Sequence, residues 1–356
     1  MIDKRLVALA KILVRDCLTV KKLDKILIKT TSPLGIPLVK EVYRQLLVEG
    51  AIVKTEVGIE ELDKIFYQTA SQNQLDFYPS FSEMEAIYFD KFLYVVADQN
   101  IRSNSQVDQN KLLARMKLTH KVKQIILKKK WTLTYFPTSS MAQEALMDTD
   151  SFEDFFFQTT NQEWLKNKDY FQKIIKKLQD KKLRIVGEKT NLSLQTKGRT
   201  WIDNDYISNM PGGEVFTSPI KESINGEIYF NYPLTYNGQT INDILLKFEN
   251  GKIVDFETSC NYDVLAKVIN LDQFSSYVGE IAFGLNKGCS FYLNNILFDE
   301  KMDGTIHLAL GNSFPECGGD HESAIHLDII KNMKTESSMV YANDQLIYQN
   351  GQFVFN

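Results

Sequence analysis

The chain has 356 residues, 44% of them apolar and 24% charged, and its formal net charge is −4 at pH 7. These values are typical of a folded globular protein with about two domains. Because lysine and arginine are well mixed with the acids, the balance excludes a broad surface for nucleic acid. A run of about 18 apolar residues, which a membrane-spanning helix needs, does not occur in the sequence.

The cysteines and the N-terminal sequence indicate the compartment. The four cysteines are scattered without a CxxC pair, which predicts free thiols in a reducing compartment and not a disulfide framework. The first 22 residues carry charges at helical spacing, and no small-residue cleavage site follows, so they do not resemble a signal peptide. We therefore expect a cytoplasmic protein with neither nucleic acid nor a membrane as a partner.

The first half of the chain alternates amphipathic segments with short apolar runs. Helices are predicted over 2–16, 37–49, 59–71 and 110–130, and strands over 25–29, 51–57, 92–97 and 131–136. Strands that alternate with helices at this spacing predict right-handed crossovers and an open, mostly parallel α/β sheet. Neither GxGxxG nor GxxxxGK[ST] is present, so a nucleotide cofactor is not indicated.

Two features of the predicted helices have an ordinary and a functional interpretation. The lysine-rich runs at 117–130 and 173–182 are interpreted as solvated helix faces, with weak nucleic-acid contact as the alternative. Two helices are predicted between 151 and 178. Their aromatic residues Phe152, Phe155 and Phe156 are interpreted as core and not as a cofactor-binding stripe.

From Leu183 onward the pattern changes to short alternating runs separated by Asn-Gly pairs at 225–226, 237–238 and 250–251. Such pairs are typical of hairpin turns. We place the domain boundary near residue 188, which gives an N-terminal α/β domain over 1–188 and a β-rich α+β domain over 189–356. Helices are expected in the second domain near 263–272 and 320–332.

Histidines are concentrated near the C-terminus. Three of the four, His307, His321 and His326, lie within about 20 residues of one another, and the fourth is His120. On a strand, His326 and Asp328 would point to the same face and could converge on one metal ion. The alternative is an ordinary hydrogen-bonded core pair, because the spacing matches no tight zinc motif such as His-Glu-x-x-His.

Two glutamates stand in unusual surroundings. Glu214 follows Pro211-Gly212-Gly213, where paired glycines let the backbone bend and present the carboxylate at the start of a strand. A turn with a surface glutamate is the alternative. Glu280 is set in the apolar, glycine-flanked run 279–284, so it either faces solvent or is compensated by a cation.

These stretches resemble a known family. PGGEVFTSPIKESINGEIYFNYP, GEIAFGLN, ILFDEKMDGTIHLALGNSFPECGG and SAIHLD are similar to the aminopeptidase T and aminopeptidase S family of dinuclear metallopeptidases. The resemblance covers most of the chain and is strongest after residue 130. It implies a metalloaminopeptidase that hydrolyses N-terminal residues from short peptides and forms a homodimer.

The resemblance also implies the metal site. The family's metal ligands fall on Glu214, Glu280, His307, His326 and Asp328, which would hold two divalent ions, with zinc, cobalt, magnesium and manganese as candidates. Three carboxylates around two dications leave a net charge of about +1, which favours a metal-bound hydroxide as the nucleophile. We expect Glu280 to be the bridging, catalytic carboxylate, with Glu214 as a proton shuttle in the alternative.

This sequence departs from the family pattern at one position near the metals. The family has a tyrosine in a SYPE-like motif, and here Phe314 keeps the ring and loses the hydroxyl. The alternative function is therefore a catalytically weakened family member that acts as a peptide- or metal-binding protein. His321 is interpreted as a bystander. A pocket already neutralised by lysine or arginine would contradict the metal site.

Overall fold

The computed structural model describes residues 3–103, 107–204, 207–236 and 239–355. The chain divides into two compact units, one formed by Met1–Asn161 with Tyr206–Pro211 and the other by Gln162–Asp205 with Gly212–Asn356. The boundary predicted near residue 188 falls within the second unit, at the turn of its first hairpin.

The regular elements are numbered in chain order. The helices are α1 Lys4–Lys11, α2 Ile36–Val48, α3 Leu62–Thr69, α4 Gln72–Leu75, α5 Ser80–Tyr88, α6 Gln109–Leu127, α7 Ser139–Glu144, α8 Thr149–Thr160, α9 Trp164–Leu178, α10 Tyr262–Ile269 and α11 Ile296–Asp299. The strands are β1 Lys25–Thr30, β2 Ile52–Val57, β3 Lys91–Val96, β4 Lys130–Tyr135, β5 Lys182–Gly187, β6 Thr190–Gln195, β7 Ile202–Asn204, β8 Asn209–Met210, β9 Glu214–Thr217, β10 Asn225–Phe230, β11 Leu234–Tyr236, β12 Gln239–Ile241, β13 Ile244–Glu249, β14 Lys252–Glu257, β15 Val278–Gly284, β16 Thr305–Gly311, β17 His326–Asn332, β18 Met339–Ala342, β19 Gln345–Gln349 and β20 Gln352–Phe353.

The first unit contains a parallel sheet of order β2-β1-β3-β4-β8. This confirms the predicted mostly parallel α/β sheet. α1 continues as a π-helical turn over Ile12–Cys17, and Gly50 follows α2 with a φ of 80°, as expected of a glycine that ends a helix. The strand β8 was not predicted, because two residues are too short to show a period.

The structure gives the positions of the aromatic residues of α8 and of the lysines of α6. Phe152, Phe155 and Phe156 of α8 are buried, which confirms that they belong to a core. On α6, Lys117 and Lys121 are exposed to solvent.

Two antiparallel sheets of the second unit share one hydrophobic core, and β11 and β12 pair as a separate two-stranded sheet. One sheet has the order β14-β13-β10-β6-β5-β18-β19-β20, and the other, here called the site sheet, has the order β17-β16-β15-β9-β7. The core side chains include Ile185 and Phe230 from the first of these sheets and Ile281 and Leu308 from the site sheet. α9 belongs to this unit because its buried face joins the same core, through Phe171, Ile174 and Leu178.

Of the three predicted Asn-Gly turns, one is confirmed and one is wrong. Asn250-Gly251 connects β13 to β14, as predicted. The turn predicted at Asn225-Gly226 is wrong, since both residues lie in β10. There a Cβ on Gly226 would lie 2.1 Å from the carbonyl oxygen of Asn191, so this glycine permits a close approach of β6. The pair at 237–238 lies outside the described residues.

The helices predicted in the second unit also differ in outcome. The helix expected near 263–272 is confirmed by α10. The helix expected over 320–332 is wrong, because His326–Asn332 forms β17. The physical reason is that side chains alternate between the two faces of a strand. Leu327 and Ile329 belong to the hydrophobic core, whereas Asp328 lies on the opposite face of β17, near His307.

Two further observations concern the chain as a whole. The four cysteines lie within the described residues and form no disulfide, and three of them, Cys17, Cys289 and Cys317, are buried. Within the described ranges, none of the helices has the length and apolar character required to cross a bilayer.

The centre of the second unit's core gives a stability prediction. Phe283 is fully buried, and its ring centroid lies 5.1 Å from that of Phe353 and 5.4 Å from that of Tyr348. We expect Phe283→Ala to lower the free energy of unfolding by about 3–5 kcal/mol, because it leaves a cavity that the surrounding rings cannot close. Urea denaturation followed by tryptophan fluorescence measures this. The control is Phe81→Ala, whose ring is 81% exposed, and a loss in Phe283→Ala no larger than in this control would contradict the prediction.

Candidate metal centre

The five predicted ligands come from four neighbouring strands of the site sheet: Glu214 begins β9, Glu280 lies on β15, His307 on β16, and His326 and Asp328 on β17. The register pairs Ala309 with both Glu280 and Asp328, and it pairs Ala282 with His307. Because side chains alternate between faces, this register places all five ligands on the same face. The small alanines between them leave room for the longer side chains to converge.

The distances confirm that the side chains converge. The Nε2 atom of His307 lies 3.6 Å from Glu214 Oε2, 3.6 Å from Glu280 Oε1 and 3.8 Å from Asp328 Oδ1. His326 Nε2 lies 3.0 Å from Glu280 Oε2 and 3.5 Å from Asp328 Oδ1. Glu280 therefore presents one oxygen to each imidazole. The apolar surroundings of Glu280 left open whether it faces solvent or a cation. Glu280 is buried, and two histidines face it.

The structure adds two residues that sequence reasoning did not select. Glu300 and Lys301 follow α11, and Lys301 is fully buried. Lys301 Nζ donates to Glu214 Oε1 at 2.5 Å and also forms an ion pair with Glu300. The signal that could have found them is the run Asp-Glu-Lys inside the family-like stretch ILFDEKMDG, where charges crowd next to a strand.

Electrostatics shift the pKa values of the two imidazoles upward. Burial alone would lower the pKa of His307, but the carboxylates of Glu280, Glu214 and Asp328 outweigh it and raise the pKa to about 9. In the same way Asp328 and Glu280 overcome burial and raise the pKa of His326 to about 11. The cluster therefore attracts positive charge strongly.

The acids respond to burial and to their neighbours. Burial alone would raise the pKa of Asp328, but the nearby imidazole of His326 lowers it to about 2. Burial raises the pKa of Glu300 to about 7, although the Lys301 ammonium acts in the opposite direction. Four carboxylates thus face one ammonium and two imidazoles. Lys301 alone does not neutralise the pocket, because its single charge faces at least three carboxylates, and only protonation of both imidazoles would balance them.

The residues present fit a divalent metal ion. Two groups offer ligand atoms that all lie within 4.8 Å of one another: Glu280 with His307 and Asp328, and Glu214 with Glu300 and His307. Within the described part of the chain, Asp328 Oδ1 is buried and accepts no hydrogen bond. Carboxylate oxygen and imidazole nitrogen are common ligands of the candidate ions. An excess of buried negative charge beside a histidine is what such an ion would compensate.

The remaining residues singled out in the sequence lie around or outside this cluster. The ring of Phe314 packs against the cluster, 5.0 Å from the His326 ring and 5.3 Å from the Phe216 ring. His321 is buried away from the five ligands, with its ring 5.4 Å from that of Phe274. His120 is exposed on α6.

Comparison with known proteins identifies the family to which this fold and site belong. The family model described as thermophilic metalloprotease (M29) matches residues 2–353. The chain therefore belongs to this metallopeptidase family, which agrees with the resemblance found in the sequence.

Individual relatives are similar over shorter stretches. The chain is 31% identical over 175 residues to aminopeptidase AmpS of Bacillus subtilis, an alignment that covers 43% of this chain and 42% of AmpS. It is 28% identical over 214 residues to aminopeptidase 2 of Geobacillus stearothermophilus, covering 52% of this chain and 51% of that protein. These alignments therefore span about half of each relative or less.

A solved structure shows the same fold over the full length. The structure of wild-type AmpT from Thermus thermophilus superposes with a TM-score of 0.82 and covers 99% of both chains at 19% sequence identity. This confirms the predicted architecture, an α/β unit with a mostly parallel sheet followed by a β-rich unit.

The raised imidazole pKa values predict how the metal-free protein responds to pH. A group whose pKa is higher in the folded state stabilises fully below its unfolded value, about 6.5 for histidine. That contribution is lost as the pH rises through the folded values, about 9 for His307 and about 11 for His326. We therefore expect the free energy of unfolding of chelated protein to fall from pH 7 to pH 10.

Urea denaturation in chelator at several pH values measures this fall. His326→Gln should make the free energy of unfolding fall less steeply with pH. The control His120→Gln changes an exposed residue of α6 and should leave this pH dependence unchanged. A stability that stays level over this range in the wild-type protein would contradict the assigned shifts.

Proposed function

We propose that this protein is a metal-dependent aminopeptidase that removes N-terminal residues from short peptides. The observation that carries the proposal is the convergence of Glu214, Glu280, His307, His326 and Asp328 on one face of the site sheet, with more acids than bases. Family membership supports it, as do the names of the relatives, which are aminopeptidases. Bound divalent ions would lower the pKa of a water and polarise the peptide carbonyl.

The residues of the cluster have distinct roles in this proposal. Glu280 is the proposed catalytic carboxylate and would hold metal through its two oxygens, because they face two different imidazoles. His307 and His326 would hold metal as neutral imidazoles, which requires that each gives up its extra proton. Glu214 is the alternative carboxylate for moving a proton, and its Oε2 atom faces His307 while its Oε1 atom accepts a hydrogen bond from Lys301.

A cavity next to the cluster supports a peptide substrate. It has a volume of about 280 Å³, and its lining includes His326, Asp328, Leu234, Tyr292 and Ile296. We infer that this cavity receives the side chain of the N-terminal residue. A bound divalent ion would hold the neutral α-amino group, which gives a physical reason for selecting chain ends.

The family resemblance implies further features, on which the proposal does not depend. They are a homodimer, a cytoplasmic location, and two ions drawn from zinc, cobalt, magnesium and manganese. These features stay predictions.

Phe314 favours a second candidate function. Its ring lies against His326 but has no hydroxyl to stabilise an oxyanion. A catalytically weakened protein that binds peptides or metal ions is therefore the alternative. The two candidates differ in whether a folded, metal-loaded sample releases amino acids.

The first test of the enzyme is removal of the proposed catalytic carboxylate. Glu280→Gln should lower the kcat for release of N-terminal residues by at least about 10³-fold, because the amide cannot bridge or accept a proton. Amino-acid release from a dipeptide panel is measured with each candidate metal and after chelation. The control Glu257→Gln changes an exposed glutamate of the same unit. If the metal-loaded wild-type protein released nothing from the panel, the enzyme proposal would fail in favour of the alternative.

The second test restores the missing hydroxyl. If a hydroxyl at this position stabilises the oxyanion, Phe314→Tyr should raise kcat by up to about 10²–10³-fold with little change in metal binding. The matched control is Phe216→Tyr, which adds the same group to the neighbouring ring. Equal rates for wild type and Phe314→Tyr would show that the hydroxyl does not limit this protein.

A further inference from the structure

We propose that Lys301 occupies one of the two cation positions of the centre. The chain then binds one divalent ion tightly, at Glu280, His307 and Asp328, while the ammonium of Lys301 takes the place of a second ion between Glu214 and Glu300. This inference rests on the proposed metal-dependent function. The family resemblance implies two divalent ions, whereas this inference has one divalent ion and one ammonium.

The position of Lys301 is fixed by its backbone. Its N–H donates to the carbonyl of Phe298 at 3.0 Å, and its carbonyl accepts from the N–H of Asn286 at 2.8 Å. The side chain is only 1% exposed and ends between the carboxylates of Glu214 and Glu300. A buried lysine held at both ends in this way is a built part of the site, because an unpaired ammonium could not be buried at this depth.

The ammonium and a second ion would compete for the same oxygens. Glu214 and Glu300 supply two of the three members of one ligand group, and Lys301 forms ion pairs with both. A metal ion binds carboxylate oxygen at about 2.0–2.2 Å, so it would have to displace the ammonium or lie directly beside it. Two cations in such contact, buried away from water, repel each other strongly.

His307 makes the two positions unequal for an independent reason. It is the shared member of both ligand groups, and its Nε2 atom faces Glu214, Glu280 and Asp328 at similar distances. The nitrogen has one lone pair and can bind one ion at a time. On the side of Glu280 and Asp328 a second imidazole, His326, is also in reach. Once His307 binds there, the position near Lys301 keeps only carboxylates that already pair with a cation.

The test is the number of ions bound by the full-length protein. Protein stripped with chelator is dialysed against micromolar Zn²⁺ or Co²⁺, and the bound metal is counted by elemental analysis and by titration calorimetry. We expect one tight ion per chain in the wild type and two in Lys301→Met. Lys301→Gln, which keeps a hydrogen-bond donor without the charge, should also bind two. Metal should raise the melting temperature of both variants more than that of the wild type.

The matched control is Lys331→Met. Lys331 lies on β17 and, like Lys301, is fully buried. Its Nζ atom donates to the carbonyl oxygen of Tyr229 and not to a predicted ligand. This variant should still bind one ion.

Each result of the count decides a different point. Two tight ions in the wild type would overturn the inference while leaving the metal centre intact, and this result needs no variant to fold. One ion in both folded Lys301 variants would overturn it as well. No tight ion in the wild type would overturn the proposed function together with the inference.

Discussion

The burial of like charge on one face of the site sheet is the constraint on which the rest of the structure depends. Glu214, Glu280 and Asp328 are held close together where water is largely excluded, and such carboxylates repel one another unless cations lie among them. The protein supplies part of that compensation itself, through two imidazoles and one ammonium. When the imidazoles are neutral, the single ammonium leaves carboxylate charge that an external cation would compensate, which is why we propose the cluster as a metal site and not as an ordinary ion-pair network.

The sequence predicted much of the fold because the elements are long and periodic. The parallel sheet of the first unit follows from apolar runs that alternate with amphipathic helices, and β1 to β4 lie within a few residues of their predicted positions. The helix expected over 320–332 was wrong, since a segment with apolar residues at both Leu327 and Ile330 satisfies either period. Only pairing with β16 decides in favour of a strand.

The convergence of side chains could be predicted for residues that lie on strands, but not for residues outside regular elements. His326 and Asp328 can be connected from their spacing alone, because a strand places alternate residues on one face. Glu300 and Lys301 belong to an irregular segment after a four-residue helix, where no period indicates the direction of a side chain. The charged run that contains both residues marks them as unusual, but it does not indicate a contact with Glu214, which is 87 residues away from Lys301.

The interleaving of core and ligand residues along β16 has a consequence for how the centre is assembled. Ile306 and Leu308 point into the hydrophobic core, and His307 between them points to the cluster. If β16 paired with β15 one residue out of register, the imidazole of His307 would enter the hydrophobic core, and Ile306 and Leu308 would move to the opposite face of the sheet. The hydrophobic packing that fixes the register of β16 therefore also fixes the face on which His307 lies. The proposed metal ligands converge only in this register.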